Sequence, residues 1–324
     1  MLLSVKTKRL CYEITFHGKY SIIRGDSGIG KTTLSRLLLR AELQKQAVRV
    51  ECNLQVVTIS ATADEDVLQK HSNTVFVIDE NCLLLRQSNI ARILKESNNY
   101  FIIITRKQLG YLPISVDSFY SLLTVGDVTR NVPMYPRFNH DYFGEVDLII
   151  TEDSCSSYYY FKRYFTIPVT SSGAKSKVAL TLKREYEVGK KFLIVYDAAA
   201  FSTEIEDLVK YISSRANVKV LDWESFEHYV LQSKLFGINL TLDDAGCHYE
   251  SLEQLATEKL SEIIPYSKSQ LSKCLLPESV CGNCKSVDQC EWKHAKEECT
   301  CLIHGALTTL RGRPDIMHLE LFNE

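Results

Sequence analysis

An eight-residue stretch, GDSGIGKT from Gly25 to Thr32, restricts the possible folds of this chain more than any other segment. Its glycines allow a tight turn with backbone N–H groups directed inward, and the spacing G-x-x-x-x-G-K-[ST] suits the enclosure of a phosphate. The apolar run YSII precedes it, and an amphipathic pattern with Leu34, Leu37, Leu38 and Ala41 on one face follows. This order predicts a strand, a phosphate-binding turn and a helix within an α/β sheet.

Two side chains of that stretch, Lys31 and Thr32, have specific predicted roles. Lys31 reaches the β- and γ-phosphates of a nucleotide, and Thr32 offers its hydroxyl to Mg²⁺. Both flanks fit the motif, so a chance glycine-rich turn is the weaker alternative. The loop residues predicted to bind the cofactor are Gly25, Asp26, Ser27, Gly28, Ile29, Gly30, Lys31, Thr32 and Thr33.

A second apolar run, VFVIDE, delivers Asp79 and Glu80 to the end of a predicted strand. Ligands of open α/β sheets bind at the carboxyl ends of the strands, so these acids are expected beside the glycine-rich turn. The run resembles the Walker B element of P-loop ATPases. The resemblance implies that Asp79 holds the shell of Mg²⁺ and that Glu80 is the general base. An acid pair that caps the next helix is the alternative.

The run FIIITR ends at Thr105 and Arg106. A polar residue here resembles the sensor position of AAA-type and STAND-type ATPases, which implies that Thr105 contacts the γ-phosphate or the attacking water. Arg106 is placed to stabilise charge on the phosphoryl group. An exposed strand end with no such role is the alternative. The sequence contains no LSGGQ-like signature and no N/T-K-x-D motif, which disfavours an ABC ATPase and GTP specificity.

A second strand–helix series begins at Val146, after a boundary predicted from Gly126 to Gly144. Acids end three of its predicted strands, namely Glu152, Asp197 and Asp222. Carboxylates that converge at one sheet edge bind Mg²⁺, and one or two such ions support phosphodiester chemistry. Acids that merely cap helices are the alternative.

Glu152, Asp197 and the turn from Ser172 to Ser176 resemble a Toprim domain. The resemblance gives Glu152 and Asp197 catalytic, metal-binding roles on nucleic acid. Ala199 stands where the second acid of Asp-x-Asp is expected, which removes one ligand and makes cleavage doubtful. A P-loop unit joined to such a domain further resembles OLD-family and related phage-defence proteins, which implies a role in antiviral defence.

Basic and aromatic residues of the same region are compatible with a DNA or RNA partner, because basic groups follow phosphates and aromatic rings stack on bases. A solvated surface and a buried helix face are the alternatives. The basic residues are Lys162, Arg163, Lys175, Lys177, Lys183, Arg184, Lys190 and Lys191, and the aromatic residues are Tyr158, Tyr159, Tyr160, Tyr164 and Phe165.

The C-terminal segment is rich in cysteine. Cys281 and Cys284 form a C-x-x-C pair, and Cys290 and Cys299 follow it, with Cys301 as a competing ligand. Four thiolates predict a tetrahedral Zn²⁺ that stabilises a small module. An iron–sulfur cluster and unligated thiols are the alternatives.

The 324 residues correspond to about two domains and a small module. We predict a P-loop domain over 1–130, a Toprim-like α/β domain over 145–240, and a helical, Cys-rich module over 241–324. The net charge of −2 excludes a globally basic nucleic-acid-binding surface. No apolar run is long enough to span a membrane. Eleven cysteines without a leader-like apolar stretch predict reduced thiols and a cytoplasmic location.

The predicted fold class is α/β, with a parallel P-loop NTPase sheet followed by the Toprim-like domain and the Cys-rich module. The expected function is an ATP-binding and ATP-hydrolysing protein with Mg²⁺, which controls a domain that acts on DNA or RNA. A non-catalytic ATP-dependent switch or scaffold for a partner protein is the alternative, and a nucleotide or small-molecule kinase is a weaker one. A homo-oligomer is compatible with the P-loop families that the chain resembles.

Overall fold

A computed structural model describes residues 1–26, 28–43, 47–59, 61, 65–107, 109–135, 146–154, 157–158, 161–162, 165–201, 204–232 and 236–263. Their contacts define two compact units. The first unit comprises the described residues of 1–135 and 241–252, and the second comprises those of 146–240 and 253–263. The sequence prediction assigned 241–324 to a separate module, whereas the described part of that segment divides between the two units.

The described part of the first unit contains a nine-stranded sheet. Its strands are β1 (Leu2–Lys6), β2 (Cys11–Thr15), β3 (Tyr20–Ile23), β4 (Arg49–Glu51), β5 (Gln55–Ile59), β6 (Thr74–Asp79), β7 (Tyr100–Ile104), β8 (Phe119–Val125) and β9 (Val128–Pro133). The spatial order is β4-β1-β2-β9-β8-β3-β7-β6-β5.

The sheet is mixed, whereas the sequence predicted a parallel one. Strands β5, β6, β7, β3 and β8 pair in parallel, while β1 pairs antiparallel with β2 and β4. The predicted parallel strands β3, β6 and β7 are confirmed, and their unbroken apolar runs are buried along nearly their whole length. The missed strand β2 is short and alternates between buried and partly exposed residues, which gives a weaker signal.

The predicted boundary from Gly126 to Gly144 begins inside this sheet. Strands β8 and β9 form an antiparallel hairpin whose turn contains Gly126 and Asp127. Gly126 has a φ of 62°, a left-handed conformation that glycine adopts without steric cost. The glycine therefore marks a hairpin turn within the first unit, and β9 continues to Pro133.

The described helices are α1 (Lys31–Leu43), α2 (Asp66–Gln69), α3 (Ile90–Glu96), α4 (Val178–Glu185), α5 (Ile205–Ile212), α6 (Phe226–Gln232), α7 (Leu242–Ala245) and α8 (Leu252–Ile263). In α1, Leu34 and Leu38 are buried in the core of the first unit. That core also contains Val5 of β1 and Val77 of β6, from opposite halves of the sheet. Helix α1 therefore packs against both halves.

Chain length requires this sheet to curl. Strands β4 and β5 lie at opposite ends of the spatial order, yet only residues 52–54 separate them in sequence. In a flat sheet, eight interstrand spacings would hold the edges roughly 38 Å apart. The connecting chain spans at most about 14 Å. The sheet therefore bends around α1, and the two edges approach each other.

The segment 241–252 returns to the first unit after the chain has formed most of the second. Thr241 and Asp244 form a capping box at the start of α7. Asp243 lies 3.0 Å from Nδ1 of His17, and Glu250 pairs with Lys95 at 2.9 Å. These contacts hold the returning segment at the N-terminal ends of β3 and β7.

The second unit contains a parallel sheet of β10 (Leu148–Thr151), β11 (Val169–Ser171), β12 (Phe192–Asp197) and β13 (Val218–Trp223). The spatial order is β11-β10-β12-β13. The predicted second α/β series is therefore confirmed at the level of its strands. The order reverses between β10 and β12, and the carboxyl edge at such a reversal forms a crevice where ligands bind.

Among the described residues, no helix combines the length and the apolar character needed to cross a membrane.

Candidate phosphate site and acidic site

The phosphate loop, Gly25–Thr32, connects β3 to α1. Of its residues, Ser27 lies outside the described part of the chain. Gly25 and Gly30 have φ values of 132° and 98°, which side-chain-bearing residues rarely adopt. A Cβ atom on Gly30 would lie 2.8 Å from the hydroxyl of Tyr12, so glycine is also required there by space.

The side chain of Lys31 folds back onto the loop. Its exposure is only 8%, and its Nζ donates to the carbonyl oxygens of Gly25 and Asp26, the latter at 2.7 Å. Burial and then the positive charge of Arg106 lower the pKa of Lys31. The ammonium group therefore holds the loop closed with hydrogen bonds that a phosphate could replace.

The carboxylate of Asp79 is oriented by two neighbours. Its Oδ2 accepts a hydrogen bond from Ser35 Oγ at 2.9 Å, and its Oδ1 accepts one from Asn81 Nδ2 at 2.9 Å. Ser35 lies one helical turn after Lys31 on α1. Its hydrogen bond to Asp79 therefore links the end of β6 to the helix that begins at the phosphate loop. Sequence reasoning missed Ser35, because a serine at this helix position has no distinguishing pattern.

Glu80 is held by Arg106. The backbone N–H and the Nε of Arg106 donate to Glu80 at 3.0 and 3.2 Å, and Nη2 lies 3.1 Å from Oε1. Thr105 is buried, and its Oγ1 accepts a hydrogen bond from Lys107 N at 2.9 Å, which holds the hydroxyl in its own turn. The backbone N–H of Thr105 donates a hydrogen bond to Ile23 O, which extends the pairing of β7 with β3 beyond the end of β7.

Most of these predicted residues meet in one cleft of about 130 Å³ at the carboxyl ends of β3, β6 and β7, whereas Thr105, Gly25 and Asp26 are not part of its lining. Its lining consists of Gly28, Gly30, Lys31, Thr32, Thr33, Asp79, Glu80, Ile104 and Arg106. The cleft combines a helix N-terminus, two cationic side chains and two carboxylates. Such a set can bind a phosphate together with an oxygen-preferring cation.

In the second unit, the structure brings Glu152 and Asp197 together at the crevice between β10 and β12. Asp197 N donates to Glu152 Oε2 at 3.1 Å, and Asp197 Oδ1 accepts from Trp223 Nε1 at 2.7 Å. The backbone of Asp222 pairs with Tyr196 on β12, whereas its side chain lies outside the described part of the structure. The contact between Glu152 and Asp197 unites the ends of two neighbouring strands.

Two further acids interact with this pair, and sequence reasoning missed both. Glu227 lies on α6 and Glu253 on α8. We call Glu152, Asp197, Glu227 and Glu253 the acidic cluster. Neither added acid ends a strand, and Glu253 is far from Glu152 in sequence, so no local pattern links them.

Burial is the main cause of the raised pKa values in the acidic cluster. It raises the pKa of Glu152 and of Glu227 to about 7 and that of Asp197 well above the ordinary value. It also raises the pKa of Glu253, which Lys175 partly offsets. The negative charge of Glu253 raises the pKa values of the other three acids further. The cluster is therefore poorly stabilised in its anionic form.

The neighbouring Asp153 has the capping role that was the alternative for the strand-end acids. Its carboxylate accepts from Ser157 N at 3.2 Å, Ser157 Oγ at 2.5 Å and Tyr158 N at 3.1 Å. Glu152 differs, because its carboxylate accepts from Asp197 N on the next strand. The two consecutive acids thus have separate structural roles.

Most of the predicted basic residues that the structure describes have local contacts. Arg184 pairs with Glu185 at 2.9 Å and Lys190 with Glu187 at 2.5 Å. Lys183 lies over the ring of Tyr211. Lys175 instead interacts with Glu152 and Glu253 in the acidic cluster. It is therefore the predicted basic residue with the clearest link to a candidate site.

Within the described ranges, no group of three or more His, Cys, Asp or Glu side chains has an arrangement suited to hold a metal ion. The predicted zinc ligands Cys281, Cys284, Cys290 and Cys299 lie outside those ranges.

Comparison with known proteins finds no match to a protein-family model and none to a curated protein.

The raised pKa values predict a pH-dependent stability of the second unit. Because the folded-state pKa of Glu152 and Glu227 is about 7 against an ordinary 4.5, the folded form keeps protons that the unfolded chain has released. The contribution of these two groups to stability is therefore fully present below pH 4.5 and is lost as the pH rises through 7. Thermal unfolding followed by Trp223 fluorescence, in a Trp292→Phe background without divalent ions, should show this fall.

Glu152→Gln should reduce the slope of that pH dependence, since the substituted side chain no longer titrates. The matched control is Glu187→Gln, which changes an exposed acid of the same unit. Equal slopes in the wild type and in Glu152→Gln would contradict the assignment of a raised pKa to Glu152.

Proposed function

We propose that the first unit binds and hydrolyses ATP with Mg²⁺, and that its nucleotide state controls a Toprim-like second unit that acts on nucleic acid. The observation that carries this proposal is the cleft in which Lys31, Thr32, Asp79, Glu80 and Arg106 lie together. These are the groups that the P-loop resemblance implies, and they come from three separate stretches of the sequence.

The phosphates of ATP would occupy the phosphate loop. Backbone N–H groups at the start of α1 favour an anion, and Lys31 would exchange the carbonyls of Gly25 and Asp26 for phosphate oxygens. The cleft of about 130 Å³ is smaller than the roughly 300 Å³ of whole-ligand pockets. Its size supports a binding mode in which the phosphates enter and the base lies outside.

The residues around Asp79 fit a magnesium ion. Thr32 and Asp79 both line the cleft and supply oxygen atoms, the ligands that Mg²⁺ prefers. Ser35 and Asn81 fix the carboxylate orientation. A bound Mg²⁺ would neutralise charge on the phosphates.

Glu80 would accept a proton from the attacking water, whose oxygen forms a bond to the γ-phosphorus. The bond from that phosphorus to the β–γ bridging oxygen breaks, and ADP departs with phosphate as the second product. Arg106 contacts Glu80 and lines the same cleft, so it is placed to orient the base and to stabilise charge on the transferred group.

Glu80→Gln should leave ATP binding nearly unchanged and slow hydrolysis by about 100-fold or more, because a positioned base contributes about that factor. Single-turnover hydrolysis and calorimetric binding measure the two effects separately. The control is Glu96→Gln, which changes an exposed acid on α3. Hydrolysis at the wild-type rate would show that Glu80 is not the base.

For the second unit, the proposal is supported by the contact between Glu152 and Asp197 at the sheet crevice. Their raised pKa values mean that a cation would stabilise the anionic cluster. Trp223 fixes one oxygen of Asp197. A divalent ion held by Glu152 and Asp197 would act on the phosphodiester of DNA or RNA, although no three of the described acids are arranged to hold a metal.

One observation favours the second candidate function, a non-catalytic switch. Ala199 is fully buried, and its N–H donates to Glu224 O at 2.9 Å. A methyl group therefore occupies the position where the Toprim resemblance expects a carboxylate. A second metal ion would lack this ligand, so binding of nucleic acid without cleavage is the alternative outcome.

Titration of Mn²⁺ tests the acidic cluster. In a Trp292→Phe background, a saturable change in Trp223 fluorescence is expected, because the indole N–H contacts Asp197. Glu152→Ala should weaken the response at least tenfold, while Glu187→Ala, an exposed acid of the same unit, should retain it. Equal Mn²⁺ binding by the wild type and Glu152→Ala would remove the metal site from the proposal.

A plasmid-nicking assay separates the two candidate functions of the second unit, and we expect nicking to be slow or absent. Metal-dependent nicking that is lost in Glu152→Ala would support a nuclease, whereas nucleotide binding without nicking would support the switch.

A further inference from the structure

We infer that Tyr12 of β2 is a positioning residue for the phosphate loop and thereby sets the affinity of the first unit for the phosphate chain of a nucleotide. The inference rests on the proposed nucleotide site. Tyr12 lies outside the three sequence stretches that supply the predicted groups of that site, on a strand that the sequence did not predict.

Tyr12 contacts the junction between the loop and α1. Its hydroxyl donates to the carbonyl of Gly30 at 3.2 Å and hydrogen-bonds to the side chain of Thr33. The same Gly30 carbonyl accepts the bond from Leu34 N at 3.0 Å that begins α1. The Tyr12 hydroxyl therefore contacts both Gly30 and Thr33, the two residues that flank Lys31 and Thr32.

The fit between the tyrosine and the loop is close. A Cβ atom on Gly30 would lie 2.8 Å from the Tyr12 hydroxyl and 3.6 Å from two carbons of its ring. The ring thus occupies the space that any larger residue at position 30 would need. The tyrosine and the glycine together set how near the loop backbone comes to β2.

The support behind Tyr12 is rigid. The residue is 3% exposed, and its backbone pairs with Val5 on β1 and with Thr129 on β9. Its hydroxyl therefore has a fixed position before any ligand binds. A loop that is already shaped for the phosphates loses less conformational freedom on binding, which favours affinity.

Tyr12→Phe tests this inference, since it removes the hydroxyl and keeps the buried ring. Loss of a neutral hydrogen bond predicts Mg·ATP and Mg·ADP binding about 3- to 10-fold weaker by calorimetry. The KM for ATP should rise by a similar factor while kcat changes less than about twofold. The matched control is Tyr20→Phe, which removes a buried hydroxyl at the opposite end of β3 and should bind as the wild type does.

Thr33→Val removes the other hydrogen-bond partner at an exposed position and should weaken binding in the same direction. Because Thr33 also lines the cleft, the double variant Tyr12→Phe/Thr33→Val separates the two effects: binding no weaker than in Thr33→Val alone would show that the two hydroxyls act through one interaction. Binding by Tyr12→Phe within twofold of the wild type, with a melting temperature lowered as in Tyr20→Phe, would show that Tyr12 only fills the core. Wild-type protein that binds no Mg·ATP would instead overturn the proposed nucleotide site.

Discussion

The three-residue connection between β4 and β5 is the constraint on which the architecture of the first unit depends. It joins the two ends of a nine-stranded order, so the sheet must bend around α1. The buried face of α1, with Leu34 and Leu38, is therefore enclosed by strands from both halves. The N-terminus of the helix is thereby fixed at the carboxyl ends of β3, β6 and β7, where the candidate phosphate site lies.

In both units the charged side chains of the candidate site lie at the carboxyl edge of parallel strands, but the two sites differ in their balance of positive and negative charge. In the first unit, Lys31 and Arg106 balance Asp79 and Glu80 within one cleft. In the second, Glu152 and Asp197 are joined by further acids, and burial raises their pKa values. The first arrangement suits an anion with its metal, whereas the second would be stabilised by a cation. This contrast supports separate ligands for the two units.

The sequence predicts well what is local and continuous. The apolar runs of β3, β6 and β7 and the spacing of the phosphate loop identify the parallel core and most of the cleft. The short, alternating strand β2 gives a weaker signal, so both the mixed sheet and Tyr12 were missed. Glu253 joins Glu152 only after the chain has passed through the first unit again at 241–252. Contacts of this kind depend on tertiary folding and leave no pattern in a single sequence.

The central claim is that the phosphate loop binds ATP, and calorimetric titration of Mg·ATP into the wild type and Lys31→Ala tests it most directly. Lys31 is buried against the loop that would hold the phosphates, so its loss should weaken binding by about 10- to 100-fold, the range for hydrogen bonds to charged groups. Lys107→Ala, at an exposed position after β7, should bind like the wild type. Equal affinity of Lys31→Ala and the wild type for Mg·ATP would contradict the claim.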